Sequence, residues 1–281
     1  MRNVSVKVVE NAIYEGIVNV THKLSEDAKK ALKLTRDKET NPLGKFVLNQ
    51  IVENYEIAQK ERIPLCQDTG SIILFLEIGQ DVHFTEGFIH SSITKAISRA
   101  SSDGYLRSSI VSDPLMRKNT GDNTPGFVHF ELVRGDRVKI HIMEKGAGAE
   151  NASMVKMLTP DMADKNVIKD IVVNWVKENA ARACPPVIVG IGLGGTMDVA
   201  ALLAKHALVR KIGSRNKNEF YGKLEEEILQ SINKLGIGPQ AVGGKVTALG
   251  VFIESKPTHI ASLPIAVNLN CHSTRVVKIV I

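Results

Sequence analysis

The stretch Ala183-Cys184-Pro185-Pro186-Val187-Ile188-Val189-Gly190-Ile191-Gly192-Leu193-Gly194-Gly195-Thr196 decides how the chain is read. Val187–Gly190 has the β-branched, uniformly apolar character of a short buried strand, and Met197–Leu208 follows with helical periodicity. Between them, Gly190-Ile191-Gly192-Leu193-Gly194-Gly195 matches G-x-G-x-x-G in the strand–turn–helix setting of a dinucleotide site. Three features argue against that use. The motif lies deep in the chain. About twenty residues further on, where an acid would hold a ribose, stand Arg210, Lys211 and Arg215. Cys184-Pro185-Pro186 directly upstream has no role in such a strand. An arginine can accommodate a 2′-phosphate, so an NADP-dependent oxidoreductase stays open as an alternative. A glycine-rich helix start also offers backbone N–H donors to a carboxylate or a cluster sulfide.

Outward from this stretch the chain mixes helices and strands. Leu24 to about Ile57 reads as helix, with Ser25 as N-cap and Glu26 and Asp27 in its first turn. Asn41-Pro42 breaks it, after which Leu43, Val47, Ile51 and Tyr55 share one face. Ser71–Gly79 is an apolar run of strand length, and Phe84–Ala100 reads as helix. Phe127–Val133 and Val138–Met143, joined by Arg134-Gly135-Asp136, read as a β-hairpin. Asp161–Arg182 is amphipathic helix, and Phe220–Leu235 is a further helix stopped by Gly236. Strands separated by Gly, Pro and Asn follow from Val246. Without strict βαβ alternation the expected class is α+β, or mixed α/β, with helices packed around mixed sheets. No repeat or low-complexity linker marks a boundary, so residues 1–281 are read as one domain.

Composition narrows the function. With 281 residues, 43% hydrophobic and 23% charged, the chain can bury a substantial core and reads as an ordinary soluble globular protein. Its net charge of +6 comes from dispersed Lys and Arg, and only 5% of residues are aromatic. That argues against nucleic-acid binding and suits the steering of a small polyanion. No apolar run reaches the roughly 18 residues of a membrane span. An odd cysteine count without a secretory signal points to a reducing cytoplasm.

The three cysteines each lie in a turn-rich segment: Pro64-Leu65-Cys66-Gln67-Asp68-Thr69-Gly70, Ala183-Cys184-Pro185-Pro186, and Asn270-Cys271-His272. Three unrelated buried cysteines would look the same by count. Three thiolates that meet could instead hold three corners of a cubane iron–sulfur cluster and leave one iron open as a Lewis acid.

Seven co-linear segments carry a resemblance. PLCQDTG (64–70), LRSSIVSDPL (106–115), RKNTGDNTPG (117–126), KGAGAEN (145–151), ACPPVIVGIGLGGT (183–196), GIGPQAVGG (236–244) and THIASLPIAVNLNC (258–271) run in the order, and at about the spacing, of the α-type catalytic domain of class I, iron–sulfur-dependent fumarate hydratases and L-tartrate dehydratases. The resemblance extends from about residue 5 to the C-terminus. Because the chain stops at Ile281, it resembles the separate alpha subunit of the two-subunit form. KGAGAEN is closer to the fumarase-type loop.

What the resemblance implies is specific. Cys66, Cys184 and Cys271 would ligate a [4Fe–4S] cluster. Asp68 would be an acid–base group with His259 as its charge partner. Gln67 and Arg107 would bind substrate, the guanidinium suiting a carboxylate, and Gly146 and Gly148 would let backbone N–H groups approach one. Lys145 would pair with it or cap the loop. Arg117, Lys118 and Asn119 are weaker candidates, and Asp198 and Lys205 are read as stabilising the helix after the glycine turn. The implied reaction is the hydration of fumarate to (S)-malate, with L-tartrate dehydration to oxaloacetate as alternative. A separate beta subunit in a heterotetramer would complete the site. A cluster-bearing sensor without turnover is the non-catalytic alternative.

Overall fold

The computed structural model describes residues 1–281. They form two compact units: Met1–Ser25, Asn54–Ala147 and Arg275–Ile281 in the first, Glu26–Glu53 and Gly148–Thr274 in the second. In chain order the elements are β1 (Arg2–Ser5), α1 (Val6–His22), α2 (Glu26–Lys38), α3 (Pro42–Glu61), β2 (Ser71–Gly79), β3 (Val82–Thr85), α4 (Ile89–Asp103), β4 (Phe127–Val133), β5 (Val138–Lys145), α5 (Ala147–Asn151), β6 (Met154–Leu158), α6 (Lys165–Asn179), β7 (Val187–Gly195), α7 (Met197–Ala207), α8 (Glu219–Asn233), β8 (Ala248–Thr258), β9 (Leu263–Asn270) and β10 (Arg275–Val280). The mixed α and β character matches the expectation from sequence. No helix is long and apolar enough to cross a membrane.

In the first unit, a four-stranded sheet runs β10-β5-β2-β4. Ile72, Leu74 and Leu76 of β2 and Ile140 and Ile142 of β5 alternate onto one face. There they meet Val9, Ile13 and Ile17 of α1 and Ile93, Ala96 and Ile97 of α4, all buried in one cluster. Helix α1 starts where Ser5 Oγ accepts the Lys7 N–H at 3.2 Å. The expected hairpin does not form. Strand β2 lies between β4 and β5, parallel to the first and antiparallel to the second. The 134–136 turn closes over the end of β2, whose Gly79 and Gln80 N–H groups donate to Arg137 O and Val133 O. The expected helix over Phe84–Ala100 begins only at Ile89, because Val82–Thr85 pairs in parallel with β1.

The same sheet carries a buried ion pair. Arg275 on β10 stands opposite Glu144 on β5 and donates from Nη1 to Glu144 Oε1 at 2.7 Å. Thr21 donates to Glu144 Oε2 at 2.9 Å, and Arg275 Nη2 donates to the Asp68 carbonyl at 2.8 Å. Both charged residues are 1% exposed. Burial pushes the Glu144 carboxyl above the usual carboxylate range. Arg275 and the Thr21 hydroxyl pull it down, and the Asp68 charge adds to the rise.

The second unit's sheet runs β6-β9-β7-β8, with β7 parallel to β8 and antiparallel to β9. Its apolar face packs on α6 and α8 through Val187, Val189 and Ile191 against Val172, Val176, Leu224 and Ile228. Here the structure corrects the sequence reading: the strand does not stop at Gly190 but continues through the glycine motif to Gly195. Gly190 and Gly192 pair with Phe252 and Glu254 on one side and Asn268 and Ala266 on the other. A Cβ on Gly190 would strike the Ala204 carbonyl, and one on Gly192 the Ala200 carbonyl. Two of the motif's glycines therefore exist to let α7 lie directly on β7, with its small Ala200 and Ala204 facing the strand.

Two outcomes follow. Gly192→Ala must displace helix backbone rather than a side chain, and should cost at least about 1–3 kcal/mol of overpacking, read as a lowered melting temperature. Arg275→Met leaves Glu144 buried without its cation, an expected loss of about 3–5 kcal/mol. A carboxyl raised in the folded state is stabilising only while protonated, and the substitution raises it further. The deficit against wild type, measured by calorimetry, should therefore be smaller at about pH 5.5 and larger at about pH 8. An unchanged difference across that range would rule out Glu144 as its origin.

Candidate functional site

In the first unit, the Cys66–Gly70 loop joins α3 to β2 and packs backbone-to-backbone on the end of β5. Asp68 N–H donates to Cys66 Sγ at 3.4 Å, and the thiol lies 3.6 Å from Gln67 Oε1. A backbone donor aimed at sulfur is the usual support of a metal-bound thiolate. Asp68 Oδ2 accepts the Ala147 N–H at 2.8 Å. A Cβ on Gly146 would stand 2.9 Å from that oxygen, and one on Gly70, whose φ is +70°, would collide with the Lys145 carbonyl. The loop contact thus requires glycine on both sides. Cys66, Gln67, Asp68 and Gly146 are brought together here. Lys145 is fully buried.

Arg107 is exposed and makes no contact with this group. Its backbone is fixed by Asn123, which is 1% exposed. Asn123 Nδ2 donates to Arg107 O and to Ser101 Oγ, both at 3.2 Å, and its Oδ1 accepts the Ser109 N–H at 2.7 Å. The segment 117–119 is likewise exposed, and Asn119 serves the loop itself, donating to Ser108 O and accepting the Gly121 N–H.

The second unit brings together Cys184 and Cys271. Cys184 adopts the left-handed conformation, φ 50° and ψ 73°, at the end of the Ala180–Ala183 turn. Such a conformation in a residue with a side chain stores strain and is frequent at functional sites. Its carbonyl accepts the N–H of His272 at 3.3 Å, which ties the two cysteine loops. Pro185 O accepts the Gln240 N–H at 2.7 Å, and the Gln240 side-chain amide lies 2.9 Å from His272 Nε2. Burial pushes the His272 imidazole down to about 4, so it is neutral and can accept that bond. Asn270 Oδ1 accepts the Cys271 N–H at 3.1 Å. A Cβ on Gly148 would stand 3.0 Å from Arg182 O, so the glycine loop closes on the turn before Cys184.

His259 lies in the exposed turn between β8 and β9. Its Nδ1 accepts the Ala261 N–H at 3.2 Å, which puts the proton of the neutral ring on Nε2. It belongs to the second unit and Asp68 to the first. Asp198 accepts from Thr196 at 2.5 Å at the start of α7, and Lys205 pairs with Glu150 of α5.

No disulfide joins the cysteines. No three His, Cys, Asp or Glu side chains converge closely enough to hold a single metal ion. A cubane differs from an ion in spreading its thiolates over separate corners, and soft thiolate donors suit an iron–sulfur group. In the second unit the Cys184 and Cys271 loops are joined through backbone, and in the first a backbone N–H stands on the Cys66 sulfur; thiol donors of this kind suit an iron–sulfur group.

Sequence reasoning missed Glu144, Arg275, Asn123 and Gln240. The first two left a signal: charged residues that interrupt apolar strand runs need a buried partner. Asn123 and Gln240 lie in quoted motifs, but their work is to hold loop backbone, which side-chain chemistry alone does not announce.

Similarity to known proteins places the chain in a family. Residues 10–280 match the family model described as Fumarate hydratase (Fumerase). A protein of Methanocaldococcus jannaschii, provisionally named L(+)-tartrate dehydratase subunit alpha, is 42% identical over 259 residues, covering 90% of each chain. The L(+)-tartrate dehydratase subunit alpha of Escherichia coli strain UTI89 is 32% identical over 273 residues, 94% of this chain and 89% of that one. That of strain K12 is 31% identical over 272 residues, with the same coverage. The chain belongs to the fumarate hydratase (Fumerase) family, as the alpha-type chain of an iron–sulfur hydro-lyase.

Proposed function

We propose that this chain, completed by a separate beta subunit, interconverts fumarate and (S)-malate with a [4Fe–4S] cluster held by Cys66, Cys184 and Cys271. The observation that carries the reading is the Asp68 carboxylate. It is fixed by the Ala147 N–H at 2.8 Å, two residues from a thiol that receives a backbone donor. When bound, the cluster supplies a Lewis-acidic iron for the hydroxyl that is added or lost.

The remaining work belongs to the chain. Asp68 moves the proton at the carbon beside the substrate carboxylate. One of its oxygens is occupied by Ala147, which orients the other. His259, protonated on Nε2 when neutral, is its partner in that transfer. Gln67 and Arg107 bind the substrate's carboxylate ends, and the exposed Arg107 guanidinium on a fixed backbone suits a dianion that arrives from solvent. Gly146 and Gly148 keep the loop free of side chains where a carboxylate approaches backbone. Residues 1–281 act as one catalytic domain in a heterotetramer, and three thiols suit a reducing cytoplasm. The second reading, L-tartrate dehydration to oxaloacetate, is favoured by the names of the relatives at 31–42% identity.

The test is anaerobic reconstitution of the chain with its beta subunit, followed by turnover of fumarate, (S)-malate and L-tartrate. Fumarate and malate should interconvert, and the chain alone should turn over little or nothing. Asp68→Asn should lower kcat by about 10²- to 10⁴-fold while the cluster's electron paramagnetic resonance signal is retained. Cys271→Ser should lose the signal itself. Turnover of tartrate alone would establish the second reading. An Asp68→Asn enzyme of full activity would remove Asp68 from the proton transfer.

A further inference from the structure

Strand β4 is the outermost of its sheet and pairs only with β2. Its sequence, Phe127-Val128-His129-Phe130-Glu131-Leu132-Val133, has no Pro, no Lys and no break in its register with β2, and Glu131 is its one acidic residue. The Val133 carbonyl accepts the Gln80 N–H at 2.7 Å and therefore points towards β2. Backbone groups alternate along a strand, so Val128, Phe130 and Leu132 turn their N–H and C=O groups outward. Their side chains share the face covered by α4, and the apolar surface does not end under it. Phe130 meets His90 edge-on at 5.1 Å, with Phe88 5.6 Å beyond. Phe130 is 43% exposed, Phe88 65% and Leu132 71%.

The strand is complementary to itself. Laid antiparallel on a second copy with Phe130 on the two-fold axis, Val128 falls opposite the partner's Leu132 and Phe130 opposite the partner's Phe130. One face then carries an unbroken apolar row. On the other face His129 falls opposite the partner's Glu131, a donor against a carboxylate, and Phe127 opposite the partner's Val133. In this register the outward residues Val128, Phe130 and Leu132 are the ones that face each other as hydrogen-bonded pairs, each exchanging both of its N–H···O bonds. A shift by one residue would set outward backbone against inward backbone and forfeit the ladder.

We infer that β4 is the self-pairing edge of a homodimer of this chain, joining two four-stranded sheets into one sheet across a two-fold axis. The occupant is a second copy because the pattern of apolar, donor and acceptor residues is its own complement.

Sedimentation velocity on the full chain tests this, with and without its beta subunit. The wild type should contain a dimer of this chain in both cases. Leu132→Lys, at a mostly exposed position, should weaken dimerisation at least tenfold with unchanged circular dichroism and melting temperature. Opposed Cα atoms in a hydrogen-bonded pair stand about 5.5 Å apart, within disulfide reach. Phe130→Cys should therefore give a covalent dimer on mild oxidation, whereas wild type and Leu115→Cys should not. A wild-type chain that stays monomeric at tens of micromolar overturns the proposal. So does a dimer that neither Leu132→Lys weakens nor Phe130→Cys cross-links. If Phe130→Cys fails to fold, Leu132→Lys alone decides. None of these readouts depends on the substrate or the cluster, so failure here leaves the hydro-lyase reading untouched, and the reverse holds too.

Discussion

Within the first unit the candidate site depends on one buried cation. Arg275 is placed inside a sheet where an unpaired charge would be prohibitively costly, and its fork is used in two directions. One arm neutralises Glu144 and the other holds the carbonyl of Asp68. Glu144 in turn needs both Arg275 and Thr21, because burial alone would drive it to the protonated form. A replacement pair of apolar residues could match this stability. What it could not do is reach out of the core and hydrogen-bond a loop backbone beside a cysteine. The charge pair is better understood as a positioning device than as a source of stability.

The glycine motif of the second unit shows why a local pattern can mislead. Gly190 and Gly192 stand two residues apart, which is also the side-chain period of a strand. Alternate glycines strip one face of β7 bare, and α7 occupies that face through Ala200 and Ala204. A phosphate-binding turn and a strand that accepts a helix at close range both require glycine, and both place a helix next in sequence. The pattern therefore fixes close approach of backbone to something, without saying whether that is a ligand or a helix.

The same reasoning separates what was legible from what was not. The mixed class, α7 and the break at Asn41-Pro42 were legible because they rest on local periodicity or on proline sterics. The hairpin was misread since Phe127–Val133 and Val138–Lys145 are adjacent in sequence, and nothing local reveals that Ser71–Gly79, more than forty residues earlier, inserts between them. Helix α1, with Val9, Ile13, Ile17 and Val20 on one buried face, was there to be read from its spacing. At the site, the thiols and Asp68 announce themselves by chemistry. Asn123 and Gln240 do not, because their contribution is to satisfy loop carbonyls and N–H groups.

Strand register is what gathers these separate segments around the Asp68 carboxylate. Ser71 pairs with Lys145 and Arg275 with Glu144, so the start of β2, the end of β5 and the start of β10 arrive at one edge of one sheet. The Cys66–Gly70 loop enters through β2, the Gly146–Ala147 backbone leaves β5, and the guanidinium comes from β10. Since side chains alternate between faces, a slip of one residue in the β5–β10 pairing would turn Arg275 away from Glu144 and release the Asp68 carbonyl at the same time. The apolar pairs Val277–Ile142 and Ile279–Ile140, packed on the same core as Leu74 and Leu76, make that slip costly for reasons unrelated to chemistry at the loop. The precision of the Asp68 carboxylate is therefore inherited from the core, and a substitution that loosens the sheet should reach the carboxylate before it unfolds the protein.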